Sequence, residues 1–350
     1  MRQFSWLSNM HYDVTIGIPV YQTGKFIIRT MESALAQSYS NIEYLIIDDG
    51  SNDNSVEKIH QLKCTHQRGC HIRIISHSNN QGVAEARNEI ISEANGEYLY
   101  FMDSDDIIAP NTIDLLMSYI KKYDAEIVFG SYEKTELSGE KSLYQYPDDV
   151  YLNNSDFACF AYRKYFGIQA SACNFLVKTS LLRDHQLKFC NSKFWEDTIF
   201  TLELVTYIEK AVTLSEITYS YLCREGSLSD VRPKDIINKN EIIQYFKTVE
   251  ELKKRKCDLI NRPYYPNRCY IAIMSDIYIT CNILKRWKYI TPSFSYKELK
   301  TYLKHPASFL EICNFKTKRI QNVCLYTIGK LPDLLCIKTI WCIGKLKKIL

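Results

Sequence analysis

The stretch Tyr98 to Asp106, reading Tyr-Leu-Tyr-Phe-Met-Asp-Ser-Asp-Asp, constrains this chain more than any other. Five β-prone or apolar residues run directly into three carboxylates. A run that is apolar on both faces reads as a buried central strand of a parallel sheet. Desolvating an unpaired carboxylate is too costly for the acids to remain inside. Asp103, Asp105 and Asp106 are therefore expected where the strand surfaces, at its carboxyl end. In open α/β sheets ligands bind there. Oxygen donors crowded in such a place suit a hard divalent cation, held by one or two carboxylates together with substrate phosphates. The alternative is an acidic turn that caps the next helix, which is the expectation for Asp106.

The upstream chain repeats this logic. Val14 to Val20 reads as the first strand, and Pro19, which cannot donate to a ladder, marks its carboxyl end. Tyr21 follows, its ring either packed in the core or stacked on a flat ligand. A helix over 25–37 carries Phe26, Ile27, Thr30, Ala34 and Leu35 on one stripe. The second strand, Glu43 to Ile47, closes on Asp48-Asp49-Gly50-Ser51-Asn52-Asp53. Asp53 reads as a helix cap, whereas Asp49 can accept a hydrogen bond from a nucleobase imide. After a third strand over 71–76, a polar turn at 79–82 enters a helix bearing Arg87. That arginine either points at the ligand cleft or makes a surface ion pair of little worth. Gly96 is expected to end this helix, Pro110 to open the next, and Glu126 to Phe129 to form a further strand.

Strand–helix alternation over 14–130 argues a doubly wound sheet. No Gly-x-Gly-x-x-Gly follows the first strand and no Gly-x-x-x-x-Gly-Lys occurs, which disfavours a dehydrogenase-type dinucleotide fold and excludes a P-loop. Residues 131–147 read as irregular and polar. A helix is expected over 155–166, a short strand over 174–178 and a helical segment over 180–185. Trp195-Glu196-Asp197-Thr198 then opens an apolar helical run. Acids at a helix start suit the macrodipole, and one of the two can serve as a general base against an apolar wall. A strand over 211–222 closes on Arg224-Glu225-Gly226-Ser227, which either grips a phosphate or is an ordinary loop.

The net charge of +4 hides an asymmetry. From Val231 onward there are 24 Lys and Arg against 9 Asp and Glu, whereas the first 230 residues hold 20 against 31. An acidic catalytic part followed by a basic tail able to meet an anionic surface is the expectation. The tail reads as helical over 235–256 and 270–284, the latter with Asp276 inside, and Pro263 and Pro266 break the pattern between them. In 331–350, Leu334, Leu335, Ile340, Trp341, Ile343 and Leu346 lie among lysines. Such a helix either rests on an anionic bilayer or docks on its own domain. The 13 cysteines show no Cys-x-x-Cys pair and read as reduced thiols. No signal-peptide core and no window of about 18 apolar residues is present, so the expected location is the cytoplasm. Nothing resembles a nucleic-acid-binding motif.

Taken in order, several segments resemble the family 2 glycosyltransferases of GT-A fold. They are Ile18-Pro19-Val20-Tyr21, Ser33-Ala34-Leu35-Ala36-Gln37-Ser38, Ile47-Asp48-Asp49-Gly50-Ser51, Asn80-Gln81-Gly82-Val83 with Ala86-Arg87-Asn88, Met102-Asp103-Ser104-Asp105-Asp106, and Trp195-Glu196-Asp197-Thr198. The resemblance implies an α/β, doubly wound mixed sheet with flanking helices over 13–230, after a lead-in at 1–12. A nucleotide-sugar half (13–130) would precede an acceptor half (131–230), and a basic helical region (231–350) would follow.

The resemblance also implies roles. Pro19, Val20 and Tyr21 would border the base pocket of a UDP-sugar, Asp49 would read the uracil edge, and Arg87 would support that pocket. Asp103 and Ser104 would lie at the donor, with Asp103 facing the ribose. Asp105, with Asp103, would hold Mn2+ or Mg2+ on the diphosphate, and Arg224 and Ser227 would close over the phosphates. Asp197 would take the proton from the acceptor hydroxyl, with Glu196 beside it. The implied enzyme is an inverting, membrane-peripheral transferase that acts on a glycan or lipid-linked saccharide during cell-surface polysaccharide synthesis. A non-catalytic nucleotide-sugar-binding module is the alternative. A sugar nucleotidyltransferase is disfavoured, because 17–25 lacks its Gly-rich basic loop.

Overall fold

The computed structural model describes residues 11–153, 155–163, 168, 171–192, 195–224, 237–254 and 259–348. In chain order the elements are β1 (Tyr12–Val20), α1 (Ile27–Leu35), β2 (Ile42–Asp48), α2 (Ser55–Thr65), β3 (Ile72–Ser76), α3 (Val83–Glu93), β4 (Gly96–Phe101), β5 (Ile107–Ile108), α4 (Thr112–Tyr123), β6 (Ile127–Thr135), β7 (Lys141–Tyr144), β8 (Asp149–Tyr151), α5 (Asp156–Arg163), β9 (Phe175–Lys178), α6 (Thr179–Asp184), α7 (Glu196–Leu204) and β10 (Ala211–Leu222). They continue as β11 (Ile237–Asn238), α8 (Lys239–Lys254), α9 (Tyr265–Lys285), β12 (Ile290–Thr291), α10 (Tyr296–Tyr302), α11 (Phe309–Cys313), α12 (Arg319–Lys330) and α13 (Asp333–Leu346).

Two compact units result. The first comprises Met1–Phe157, Ser171–Asn191 and Tyr207–Asp230; the second comprises Ala158–Ala170, Ser192–Thr206 and Val231–Leu350. Residues 131–230, expected as one acceptor half, are divided between them.

The first unit is built on a ten-stranded sheet of order β3-β2-β1-β4-β9-β6-β10-β5, with β7 on β6 and β8 on β10. Strands β1 to β4 run parallel. β9 is antiparallel to both β4 and β6, and β6 runs parallel to β10, so the sheet is mixed. β1 and β2 are buried along nearly their whole length, as apolar strands covered on both faces must be. Ile27, Met31, Ala34 and Leu35 of α1 join the same core.

β2 buries a carboxylate near its start. Glu43 Oε2 accepts from Thr15 Oγ1 at 2.6 Å and Asn95 N at 2.8 Å, while its Oε1 accepts from Asn95 Nδ2 at 2.7 Å and Arg73 Nε at 2.9 Å. Four donors make its burial tolerable.

Three local expectations are corrected. Gly96 opens β4 rather than ending a helix, since α3 stops at Glu93 with Ala94 as its C-cap. Glycine is required there because the strands press together: a Cβ would lie 2.3 Å from Thr15 N and 2.5 Å from the Val14 carbonyl carbon. Pro110 lies ahead of the Asn111 N-cap of α4, outside its first turn. The region 131–147 is not irregular. β6 extends to Thr135 and pairs antiparallel with β7, and Tyr132 stacks on Tyr144 at 5.2 Å. β7 carries little burial, so its pattern lacked an apolar face to announce it.

Among its described residues the second unit is helical apart from the β11–β12 pair. Pro266 does not interrupt a helix; it sits in the first turn of α9, where a missing N–H costs nothing. Long α9 buries two charged side chains, each with a partner. Arg268 Nη1 donates to Tyr162 Oη at 2.8 Å, and Nη2 donates to Leu252 O at 2.8 Å and to Glu203. Asp276, fully buried, pairs with Lys253 at 2.6 Å. Burial pushes the Asp276 carboxyl up to about 7, against the pull of that lysine. α13 buries Cys336, Ile337, Ile340 and Gly344 and packs on α9 and α10.

Because the atoms facing Gly96 are backbone, no rotamer change can relieve a methyl group there. Gly96→Ala is expected to destabilise the first unit by about 1–3 kcal/mol, read as a lower urea midpoint at unchanged slope. A midpoint equal to that of the parent protein would show that β1 and β4 separate freely.

Candidate nucleotide-sugar site

Just past β4, Met102 N donates to Gly17 O at 3.0 Å, and the chain then turns out of the sheet. Each of the three acids meets a different partner. Asp103 Oδ1 accepts from Arg87 Nη2 at 2.9 Å. Arg87 is buried on α3 and its guanidinium lies 5.4 Å from the Phe189 ring, so it makes no surface ion pair. Asp105 pairs with Arg224 Nε, and that guanidinium stacks 5.1 Å from the Phe26 ring.

Asp106 caps no helix. It is wholly buried, its Oδ2 accepting from Tyr219 Oη at 2.6 Å and its Oδ1 from Leu222 N at 2.8 Å. β5 intervenes before α4, so the acid is out of reach of that helix and instead pins the end of β10. Ser104 is buried, and its carbonyl accepts from Thr30 Oγ1 at 3.1 Å.

Burial, reinforced by the charges of Asp103 and Asp105, lifts the Asp106 carboxyl well above the ordinary range; the Tyr219 and Leu222 hydrogen bonds oppose this only in part. Burial and the neighbouring Asp103 also raise Asp105, with Arg224 pulling the other way. A cation beside Asp103 and Asp105 would relieve this repulsion, and the all-oxygen donor set fits Mn2+ or Mg2+. Among the described residues no cluster of three or more His, Cys, Asp or Glu could hold a metal alone, so such an ion needs further oxygens from a substrate. Space is available. A cavity of about 220 Å³ is lined by Phe26, Arg29, Asp105, Leu222, Cys223 and Arg224. Another of about 500 Å³ shares Phe26, Cys223 and Arg224 and adds Gln22, Lys25, Asp53 and Leu137.

The ends of the neighbouring strands complete the region. Pro19 and Val20 close β1, and Tyr21, 45% exposed, lies outside the core. Asp49 is buried, its Oδ1 accepting from Gln81 N at 2.7 Å and its Oδ2 from Gly82 N at 2.8 Å. Asp49 thereby latches the 77–82 turn, where Gly82 adopts φ 98°, to the end of β2. Asp53 accepts from Gly24 N at 2.9 Å and from Ser55 N at 3.0 Å, so it does satisfy the start of α2. Ser227 falls outside the described residues.

Two residues were not singled out from sequence. His77 Nδ1 lies 2.7 Å from Asp49 Oδ1, and its Nε2 lies 2.5 Å from Glu89 Oε2. Burial lowers the imidazole pKa, but the hydrogen bonds and charges of Asp49 and Glu89 outweigh it, and the net shift is upward. His77 follows β3 directly, so its position at a strand's carboxyl end was the available signal.

In the second unit, Trp195 precedes α7 in a left-handed conformation, φ 60°. Glu196 is buried at the helix start, and Asp197 Oδ1 accepts from Thr198 N at 2.6 Å.

A mixed sheet with an acidic turn at the end of a central parallel strand sets oxygen donors where α/β sheets bind ligands. Residues 15–185 match the family model for Glycosyl transferase family 2. A glycosyltransferase of Streptococcus pneumoniae, GlyG, is 29% identical over 228 residues, covering 61% of this chain and 72% of that protein. The poly(ribitol-phosphate) β-N-acetylglucosaminyltransferase TarP of Staphylococcus aureus is 27% identical over 265 residues, covering 73% and 74%. The crystal structure of S. aureus TarS 1–349 with UDP-GlcNAc superposes with a TM-score of 0.61 at 16% identity, covering 91% of this chain and 90% of that one. Residues 15–185 thus form a family 2 glycosyltransferase domain, and the protein is a glycosyltransferase.

The raised His77 pKa fixes the sign of a pH effect. A cation bridging Asp49 and Glu89 stabilises the fold fully below the ordinary histidine value of about 6.5, and the contribution is lost as pH rises through the higher folded value. The stability gap between the parent protein and His77→Gln is therefore expected to be widest in mildly acidic buffer and to shrink towards alkaline pH in urea titrations. A gap that stays constant with pH would mean that the imidazole does not titrate in this bridge.

Proposed function

We propose that the enzyme moves a sugar from a UDP-sugar to a hydroxyl of a glycan or lipid-linked saccharide during cell-surface polysaccharide synthesis, at the cytoplasmic face of a membrane. The observation that carries this reading is the acidic turn after β4, where Asp105 lines a cavity of about 220 Å³ and Asp103, two residues earlier, is held by Arg87. The relative named as acting on poly(ribitol-phosphate) and the neighbour holding UDP-GlcNAc support the substrate class, and UDP-GlcNAc is the first donor to test.

Each residue then has a task. The exposed Tyr21 ring stacks on the base, which Pro19 and Val20 border. Asp49 Oδ1 is occupied by Gln81 N and His77 Nδ1, but Oδ2, which accepts from Gly82 N, has a second lone pair, so Oδ2 can also accept from the uracil imide. Arg87 fixes Asp103 to meet the ribose. Asp105 and Asp103 would hold Mn2+ or Mg2+, which as a Lewis acid offsets the charge of the departing diphosphate. Arg224 and Ser227 grip phosphate oxygens, a task for which a guanidinium fork is suited. Asp197 takes the acceptor proton and Glu196 helps bind the acceptor. The sugar carbon acquires oxocarbenium character, and one base on the acceptor side gives direct displacement with inversion.

Membrane contact is the remaining part of the proposal. No helix among the described residues is long and apolar enough to cross a membrane. Opposite its docked face, α13 exposes Leu334, Leu335, Trp341 and Leu346 together with Lys338 and Lys345. Apolar side chains interspersed with lysines suit an anionic bilayer surface.

Asp105→Asn is expected to abolish Mn2+-stimulated release of UDP from UDP-GlcNAc or another UDP-sugar. Asp197→Asn should retain UDP binding by calorimetry while transfer falls about 10²–10⁴-fold. Undiminished turnover in the first variant removes the metal role, and lost UDP binding in the second removes the base role. Anionic vesicles should carry the parent protein upward in a flotation gradient but not the Lys338→Glu/Lys345→Glu variant. Equal flotation of the two would place the membrane contact elsewhere or nowhere.

A further inference from the structure

The start of α7 carries more than two acids. Trp195, its N-cap, meets the Tyr245 ring of α8 edge-on at 5.1 Å and the Tyr278 ring of α9 at 6.4 Å with a 30° tilt. All three belong to the second unit. None of these rings is fully buried, and Tyr278 is 42% exposed. An aromatic cluster serving only to glue helices together would bury its rings, because their stabilising value comes from area removed from water.

The backbone points the same way. A bulky residue at φ 60° is an outlier, and such strain tends to persist where a side chain must be held in a particular place. Glycine or asparagine would occupy this position at lower cost. Instead a tryptophan is presented immediately ahead of Glu196 and Asp197, steadied by two tyrosines.

A pyranose ring has the complementary chemistry. One of its faces is a patch of C–H groups, which matches the apolar, electron-rich face of an aromatic ring. Its rim consists of hydroxyls, for which tyrosine Oη atoms and carboxylates are hydrogen-bonding partners. Resting on the reading of Asp197 as the acceptor-side base, we propose that Trp195, Tyr245 and Tyr278 form the platform on which a pyranose ring of the saccharide acceptor stacks. The helical second unit thereby selects the acceptor, while the sheet-based first unit handles the donor.

The test is saturation-transfer NMR on the full chain with UDP present, using methyl β-glycosides of glucose, galactose and N-acetylglucosamine as probes. At least one glycoside should receive saturation at its C–H face. The signal should fall about fivefold or more in Trp195→Ala and Tyr278→Ala and survive in Trp195→Phe and Tyr278→Phe, with UDP affinity by calorimetry the same throughout. Absence of glycoside saturation in the parent protein, or equal signal in the alanine variants, overturns the proposal. Loss in the phenylalanine variants as large as in the alanine ones overturns stacking. Asp197→Asn separates the two readings: retained glycoside binding with full transfer activity would defeat the base assignment and leave the platform standing.

Discussion

Like-charge repulsion at the end of β4 organises the first unit. Three carboxylates within one turn, emerging from a buried strand, cannot all remain ionised without help. Help comes from three separate places: Arg87 on α3, Arg224 just beyond β10, and Tyr219 within β10. Two of these lie more than a hundred residues downstream. β10 must therefore reach the acidic turn, and its antiparallel contact with β5 is the short seam that brings it there. Of the three, Asp106 is the buried anchor, whereas Asp103 and Asp105 stay accessible for chemistry. One charge cluster thus specifies a fold contact and, in the proposed reading, the place where donor and metal are held.

Helix α3 ties this cluster to the other side of the site. Arg87 and Glu89, two positions apart on it, serve different acids: one pairs with Asp103 after β4, the other with His77 after β3 and through it with Asp49 after β2. In the sheet, β1 and β2 lie between β3 and β4, and α3 packs against both. A shift of α3 would therefore disturb the acids after β2 and after β4 together.

The parts legible in the sequence were those with local causes. β1, β2 and β4 are continuous apolar runs because both faces are covered, and their carboxyl ends were marked by Pro19, Asp48 and Asp103. The β6–β7 hairpin was not legible, since its solvent-facing end offers no apolar face to the pattern. Neither was the burial of Glu43, which rests on donors from Thr15, Arg73 and Asn95, residues remote from it in the chain. Asp106 was assigned to the nearest helix because local reasoning sees only local partners; its true ones, Tyr219 and Leu222, are brought by the sheet. His77 escaped notice for the same reason, its meaning arising only when Asp49 and Glu89 meet it.

The second unit shows where periodicity itself runs out. In α13 the apolar residues surround the helix: Cys336, Ile337 and Ile340 on one side, Leu334, Leu335 and Trp341 on the other. A period of 3.6 tells which residues share a face, not which face a neighbour will cover. Docking on the domain and resting on an anionic bilayer were posed as alternatives; the helix docks on α9 and α10 and still exposes leucines and a tryptophan, so the first does not exclude the second. The basic excess of this unit has two fates as well. Lys253 and Arg268 are spent inside on Asp276 and Glu203, where removing either partner would strand a charge. Lys338 and Lys345 remain outside on the exposed face of α13, so the part of the positive charge available to an external surface is smaller than composition suggests, and on α13 exposed leucines accompany it.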